Sequence, residues 1–496
     1  MSQKYDTIII GGGLSGLLCG YLLSKKGQKT LVLEQDMLLG GCLQSFKRHG
    51  QTFDTGFHYV GGLEEGQLLN HLFKYFHLMD LPWKKMDKHF DEIFIGEQHY
   101  SFVTGYDDFA KQMSAYFPNK ANQFQQYVNI LKDIHTSTIE RLQTMQQADI
   151  TSDQWFNTSA YDYLKSTFED DHIVDVLAGT SLKMDLDKKM PLYVFAHING
   201  SFIESAWRII GGGMQVADSL ANDIRKMGGE VLKKMPVAHL HFENGYIQYV
   251  QTENGEIFHA DHIISSLHPQ ATFHLIDSEN FARKTYIWRM NHLENSTGMF
   301  TANILLKDNA IPYQNRNLHI HQEGNLWQTR YGKDMLISFT TDKEDAVYTK
   351  NIDILTPMSW EDVAAFVGTH RNSRPEKYLQ LKQNTADFLI DRAENYIPDL
   401  KEQVEQVYTS TPLTYQEYTS TPNGSAYGVK KQYDNVLTTF LTPKTAVKNL
   451  YLTGQSLNLH GILGTTITSL YTCAEILGAN TIAEEVFGRQ TLKKFY

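Results

Sequence analysis

The 496-residue chain is long enough for two or three domains with large cores, and its formal charge of −11 argues against nucleic acid, which needs a basic face. Three cysteines, Cys19, Cys42 and Cys473, form no CxxC pair, so no thiol redox motif and no zinc framework is expected. Reduced thiols in the cytoplasm are the expectation, and the 12% aromatic content suits a large apolar pocket.

The first predicted elements are a strand at 7–10, a helix at 17–24 and a second strand at 30–33. Gly11-Gly12-Gly13-Leu14-Ser15-Gly16 joins the first strand to the helix, and Glu34 ends the second strand. This is a dinucleotide-binding fingerprint in its required context. Gly11 permits a tight turn, Gly13 lets backbone approach a pyrophosphate, and Gly16 lets the helix lie close to the strand. Leu14 and Ser15 stand at the helix start, where free N–H groups and the dipole favour phosphate. Glu34 is placed to accept hydrogen bonds from ribose hydroxyls, with Gln35 beside it. The same stretch is too short and too broken by glycine for a membrane span, and Asp6 beside Lys4 spoils a signal-peptide basic region.

A nicotinamide-binding unit would soon enter another crossover helix. Here Gly40-Gly41 opens a loop, followed by Gly50, Gly56, Gly61 and Gly62. Glycine lets such a loop lie against a flat, extended cofactor, which favours FAD over NAD. Beyond it, Leu68, Leu69, Leu72, Phe73 and Phe76 recur at helical spacing, followed by Leu78 and Trp83. They read as core, with an interfacial membrane helix as the competing reading. Phe109, Met113, Tyr116 and Phe117 have a helical period, as do Phe124, Tyr127, Val128, Leu131 and Ile134. Core is again the first reading and a lining for an apolar substrate the second. Further on, Asn244-Gly245 and Asn254-Gly255 separate three strands, and 262–266 re-enters a parallel sheet.

The run from Gly40-Gly41 through Ser45-Phe46, Phe53-Asp54, Gly56 and His58-Tyr59 to Gly61-Gly62 resembles the phytoene desaturase, carotenoid isomerase and retinol saturase group of FAD-dependent oxidoreductases. The retinol saturase-like branch is the nearest match, and three further segments extend the resemblance. Trp207-Arg208-Ile209-Ile210-Gly211-Gly212-Gly213 returns the chain to the FAD domain, and the strand with Val237 touches adenine in the family. Residues 411–428, ending in Tyr427-Gly428, match the family's return towards the flavin; read alone they are a turn-rich loop. Residues 449–455 with 461–464 give a second helix N-terminus against the cofactor, through Gly454, Gln455 and Gly464. Two positions depart from the family: Gln455 replaces the usual acid, and Cys42 follows the glycine pair where a basic residue is common.

The resemblance implies an α/β fold, with a Rossmann-like FAD-binding domain bearing a β-meander and a mixed α+β substrate domain. The FAD domain is assigned to 1–75, 205–275 and 440–496, and the substrate domain to 76–204 and 276–439. Such an enzyme moves a hydride between flavin N5 and an apolar, carotenoid- or retinoid-like polyene, saturating, desaturating or isomerising C=C bonds, with saturation leading. No nucleophile motif is needed, and none is found. His58, Tyr59 and Tyr427 are the candidate catalytic residues, His58 as a proton donor or, in the plainer reading, a hydrogen-bonding wall. His268 is read as capping a strand end, and covalent flavin attachment through Cys42 or His49 as an outlier. The alternatives are an FAD amine oxidase-like enzyme and a non-enzymatic flavin or lipid binder. A cytoplasmic protein with peripheral membrane contact left open is expected. With no second dinucleotide motif, electrons pass through a partner, a quinone, oxygen or transient nicotinamide. No motif encodes the oligomeric state.

Overall fold

The computed structural model describes residues 4–370 and 372–488. Strand Lys4–Ile10 lies inside a seven-stranded sheet, parallel to Thr30–Leu33 on one side and to Ile257–Ser265 on the other. Glu230–Leu232 and Leu450–Leu452 extend the parallel part. Ile8, Ile9, Leu31 and Val32 are fully buried, as expected for continuous apolar strands covered on both faces. Helices Leu14–Lys25, Met214–Lys226 and Gly461–Leu477 cover one face through a shared core that includes Leu17, Leu18, Leu220, Ile224 and Leu470.

The β-meander begins with Val237–Glu243 and Tyr246–Thr252, joined by Asn244 and Gly245 at φ 52° and 89°. Two left-handed residues give the hairpin turn whose twist suits the flanking strands. The second link, 253–256, is longer, and only Gly255 there is left-handed. The next strand then runs unbroken through Ile257–Ser265, pairing antiparallel at its start and parallel at its end. The separate strand expected at 262 is therefore the inner half of one strand.

A second sheet, also of seven strands, is mixed. Its order is Val404–Ser410, Gly298–Leu306, Asn351–Met358, Asp334–Thr340, Asn317–His321, His89–Ile95 and Gln98–Val103. Its two faces differ. Phe300, Ala302, Ile304, Ile337, Ile352 and Ile354 alternate onto one face, where helix Glu376–Ala393 closes an apolar core with Leu389 and Ile390. The intervening residues, including Asn303, Asn317, His319, Ser338 and Asp353, are just as buried but polar.

Helices Tyr106–Tyr116 and Ala121–Thr144 bury Phe109, Met113, Phe124, Tyr127, Val128, Leu131 and Ile134 in one cluster, and Tyr116 and Phe117 pack against it. None of these lines the central cavity. Two local readings are corrected. Residues 412–419 form a helix, Pro412–Thr419, because Thr411 and Thr414 make a reciprocal capping box and Pro412 occupies its first turn. His268 caps the short helix Pro269–His274, its Nδ1 accepting the Gln270 N–H. The competing membrane reading of 68–76 also fails, since Leu69, Leu72, Phe73 and Phe76 of and beside helix Leu68–Tyr75 are at most 1% exposed. No described helix is long and apolar enough to cross a membrane.

Candidate active site

One cavity runs between the two sheets. At one end it is built from backbone. Gly11 turns at φ 98°, and a Cβ on Gly16 would lie 2.1 Å from the Gly11 carbonyl oxygen, so Gly16 is needed for helix–strand packing. A Cβ on Gly13 would meet nothing within 4 Å; it would project into open space. Helix Leu14–Lys25 starts at Gly13 and helix Gly461–Leu477 at His460, neither with a side chain capping its N–H groups. Both N-termini reach the cavity wall, leaving donors and positive dipole ends for an anion.

Glu34 lies at the same end. Its Oε2 accepts the Gly12 N–H at 2.8 Å and its Oε1 the Asp36 N–H at 2.9 Å. Burial pushes the carboxyl up, and these N–H groups oppose the shift. Gln35, Gly40, Gly41, Val237, Gly454 and Gln455 also line the cavity, as do Gly11, Gly13, Leu14 and Ser15. Gln455 Nε2 donates to the Ala426 carbonyl at 3.3 Å. Gly16 and Gly464 do not line it; a Cβ on Gly464 would fall 2.3 Å from the Leu459 carbonyl oxygen. Two uncapped helix ends, an open glycine and a buried acid on one cavity fit a bound dinucleotide. Cys42 is on the wall, but burial raises its thiol, which keeps it protonated and a weak nucleophile. His49 is exposed at the tip of the hairpin between Ser45–Arg48 and Gln51–Asp54, away from the cavity.

The other end is built from side chains. Leu182, Ile198, Phe202, Met299, Leu336 and Leu355 give it apolar walls. His58, Tyr59 and Tyr427 all reach this cavity. Tyr427 donates its hydroxyl to the Leu182 carbonyl, and its ring lies 4.6 Å from the ring of His460. His58 has neither ring nitrogen hydrogen-bonded, and Asp353 Oδ2 stands 3.8 Å from its Nδ1. Burial, reinforced by the Arg208 cation, pushes His58 down to about 4, so its imidazole is neutral at physiological pH.

Beneath this chamber lies the polar face of the mixed sheet. Tyr59 donates to Asp91 Oδ2 at 2.8 Å, and Asn317 Nδ2 donates to Asp91 Oδ1 at 2.8 Å. His319 Nε2 and Lys183 Nζ each stand 3.4 Å from Asp91 Oδ2. Burial alone would raise the Asp91 carboxyl, but His319, Lys183 and Asn317 outweigh it and hold it well below the usual range. Arg208, from strand Ala206–Ile209, donates to Asn317 Oδ1, Ser338 Oγ and the carbonyls of Arg316 and Phe339. Asp353, hydrogen-bonded by Asn303 at 2.7 Å, is pushed up to about 7 by burial, and Asp54 up to about 6. Lys183, His197 and the apolar walls were not singled out from the sequence. They come from several elements far apart in the chain, the turn Ser181–Lys183 and helix Leu192–Glu204 among them, with no recognisable motif around them.

The family model described as flavin containing amine oxidoreductase matches residues 14–477. The chain belongs to that family. It is an FAD-dependent oxidoreductase, within the branch that holds retinol saturase- and carotenoid isomerase-like proteins. The chain is similar to the all-trans-retinol 13,14-reductase of Danio rerio, at 24% identity over 98% of this chain and 88% of that protein. It is 23% identical to prolycopene isomerase 1, chloroplastic, of an Oncidium hybrid cultivar, over 92% of this chain and 80% of the other. Its fold is shared with a solved oxidoreductase from Methanosarcina mazei, with a TM-score of 0.62 and 16% identity, covering 94% of this chain and 99% of that one.

Proposed function

We propose that this flavoenzyme reduces carbon–carbon double bonds in a long, apolar, conjugated substrate of retinoid or carotenoid type. The observation that carries this reading is the chamber wall: apolar side chains, with Glu34 at the opposite end as the one carboxylate among the lining residues. The retinol reductase and carotene isomerase named among the relatives support it.

In this reading Gly11, Gly13, Leu14, Ser15 and the start of helix Gly461–Leu477 hold the pyrophosphate, and Glu34 and Gln35 hold the ribose. Val237 flanks adenine, while Gly40, Gly41, Gly454 and Gln455 lie along the rest of the cofactor. Gly16 and Gly464 keep the two helices close enough for this. When bound, FAD supplies two-electron hydride exchange. The chain positions the polyene and excludes water. Tyr59 and Tyr427, each anchored by its hydroxyl, form rigid walls, and neutral His58 is a further part of the wall, its ring nitrogens free to bond cofactor or substrate. The assigned division of labour is 1–75, 205–275 and 440–496 for FAD and 76–204 and 276–439 for substrate, with His58 and Tyr59 of the first segment reaching into the substrate end. Residues 1–3, 371 and 489–496 of these lie outside the described chain. The enzyme is placed in the cytoplasm, meeting membranes peripherally where its substrate dissolves in them.

An amine oxidase activity fits less well. An amine reaches the site largely as a cation, and the chamber presents Lys183 and no carboxylate to receive it. Tyr427 packs against the ring of His460, 4.6 Å away. Anaerobic spectra distinguish the two. Polyenes are expected to reoxidise the reduced flavin, and an amine panel is expected to leave the oxidised bands untouched. Bleaching by an amine contradicts the proposal.

A further inference from the structure

Lys183 ends the short 3-10 turn Ser181–Lys183 and stands on the wall of the apolar chamber. It is anchored on both sides. Its own carbonyl accepts from His460 Nε2 at 3.1 Å, and the preceding carbonyl, of Leu182, accepts the Tyr427 hydroxyl. His460 immediately precedes helix Gly461–Leu477, whose N-terminus reaches the cavity, so Lys183 is tied to the junction between the two ends. Its ammonium lies 4.0 Å from the centroid of the Phe202 ring and 5.4 Å from that of Tyr59. Its side chain is 7% exposed.

A buried ammonium on an apolar wall is costly unless something requires it. Its carboxylate partner among the described residues is Asp91, at 3.4 Å, and Asp91 has other partners besides it. Tyr59 and Asn317 donate to that carboxylate at 2.8 Å, and His319 stands at 3.4 Å. Asp91 therefore keeps two hydrogen-bond donors when the Lys183 nitrogen is neutral, although the ammonium helps to hold it ionised. That is the condition a group must meet to give up and regain a proton each turnover.

We propose that Lys183 is the proton donor that completes reduction of the double bond. The inference rests on the polyene reductase reading above. The π bond breaks, one carbon receives a hydride from reduced FAD, which is oxidised, and the other receives a proton from the Lys183 ammonium. Two C–H bonds form, and Lys183 is left as a neutral amine that takes a proton back before the next turnover. Burial, against the pull of Asp91, brings the ammonium down to about 8, within reach of physiological pH. The titratable groups around it are Asp91, His319 and Tyr59, with Arg208 beyond Asn317, His460 and Tyr427 at the backbone, and His197 on the same wall. His58, the histidine at this end singled out from the sequence, is neutral at working pH and has no proton to spare.

The test compares wild type, Lys183→Met and Lys183→Arg, each as FAD-loaded protein with a normal flavin spectrum and two-electron dithionite reduction. Reduced protein is mixed anaerobically with all-trans-retinol or lycopene across a pH series. Wild type should reoxidise with a rate that falls above about pH 8. Both variants should be slower by about 100-fold or more and lose that alkaline limb, although Arg keeps the charge. In D2O the solvent deuteron should enter the wild-type product on one face and lose that preference in Lys183→Met, which a purely structural role does not produce. Variants with the wild-type rate and pH profile overturn the proposal. So does rescue by Arg with only the apparent affinity changed in Met, which makes Lys183 an anchor for a polar substrate end. A wild type that no polyene reoxidises overturns the polyene reading and this proposal with it.

Discussion

The two ends of the cavity are made in different ways. The cofactor end is made of backbone: glycine turns, two uncapped helix N-termini and one acid, most of it within 11–41 and 454–464. The substrate end is made of single side chains from many elements, among them Lys183, His197, Phe202, Met299, Leu336 and Leu355. Backbone sites tolerate little change in shape, because a Cβ either fits or does not. Side-chain sites hold charge and polarity in balance, so their failures should appear in pH dependence and rate.

The largest effect is expected at the backbone end. Gly16→Val places atoms 2.1 Å from the Gly11 carbonyl oxygen, and no folded holoprotein is expected on a melting curve. Gly13→Val sharpens the contrast. Gly13 has φ −73° and no neighbour within 4 Å of a Cβ, so the apoprotein should fold and melt normally but purify without flavin absorbance. Full flavin content in that variant would mean the cofactor lies elsewhere. Glu34→Gln removes a charge-assisted contact worth about 1.5–3 kcal/mol and should weaken FAD binding by roughly 10–100-fold in an equilibrium titration.

The most gradual effect belongs to the substrate end and shows in stability against pH. Asp353 titrates near 7 in the folded protein, against 3.8 for the free side chain, so the native state holds its proton more tightly. Its carboxylate therefore weakens the fold progressively from pH 4 to 7, and fully above 7. Asp353→Asn should match wild type at the acid end of that window and be more stable at pH 8, by up to about 4 kcal/mol. His58, His268 and His460, pushed down to about 4 by burial, act in the opposite direction between pH 4 and 6.5. The informative quantity is thus the difference between variant and wild type in denaturant melts. A difference that does not grow with pH would show that Asp353 is an ordinary carboxylate.

Much of the cofactor end was legible because its signal is local. A strand, Gly11 to Gly16 and Glu34 lie within one βαβ stretch, and a glycine required by geometry announces itself. Asn244-Gly245 announced its hairpin for the same reason, whereas 253–256 needed a longer turn than its Asn-Gly suggested. The polar floor was illegible because it mimics a solvent face. Polar residues at alternate positions, such as Asn317, His319 and His321, are the pattern of a half-exposed strand, yet these three are at most 1% exposed. What buries them is the packing of remote segments, including Arg208 from strand Ala206–Ile209. The helix Pro412–Thr419 was missed because its capping box was hidden in a run rich in Thr, Pro and Gly.

The most direct measurement is a single anaerobic turnover. Dithionite-reduced holoprotein is mixed with all-trans-retinol and with lycopene, the flavin bands are followed, and the product is weighed by mass spectrometry. Return of the oxidised bands with a product heavier by two hydrogens is the expected result. Bands that stay bleached, or a polyene returned at unchanged mass, would contradict a double-bond reductase.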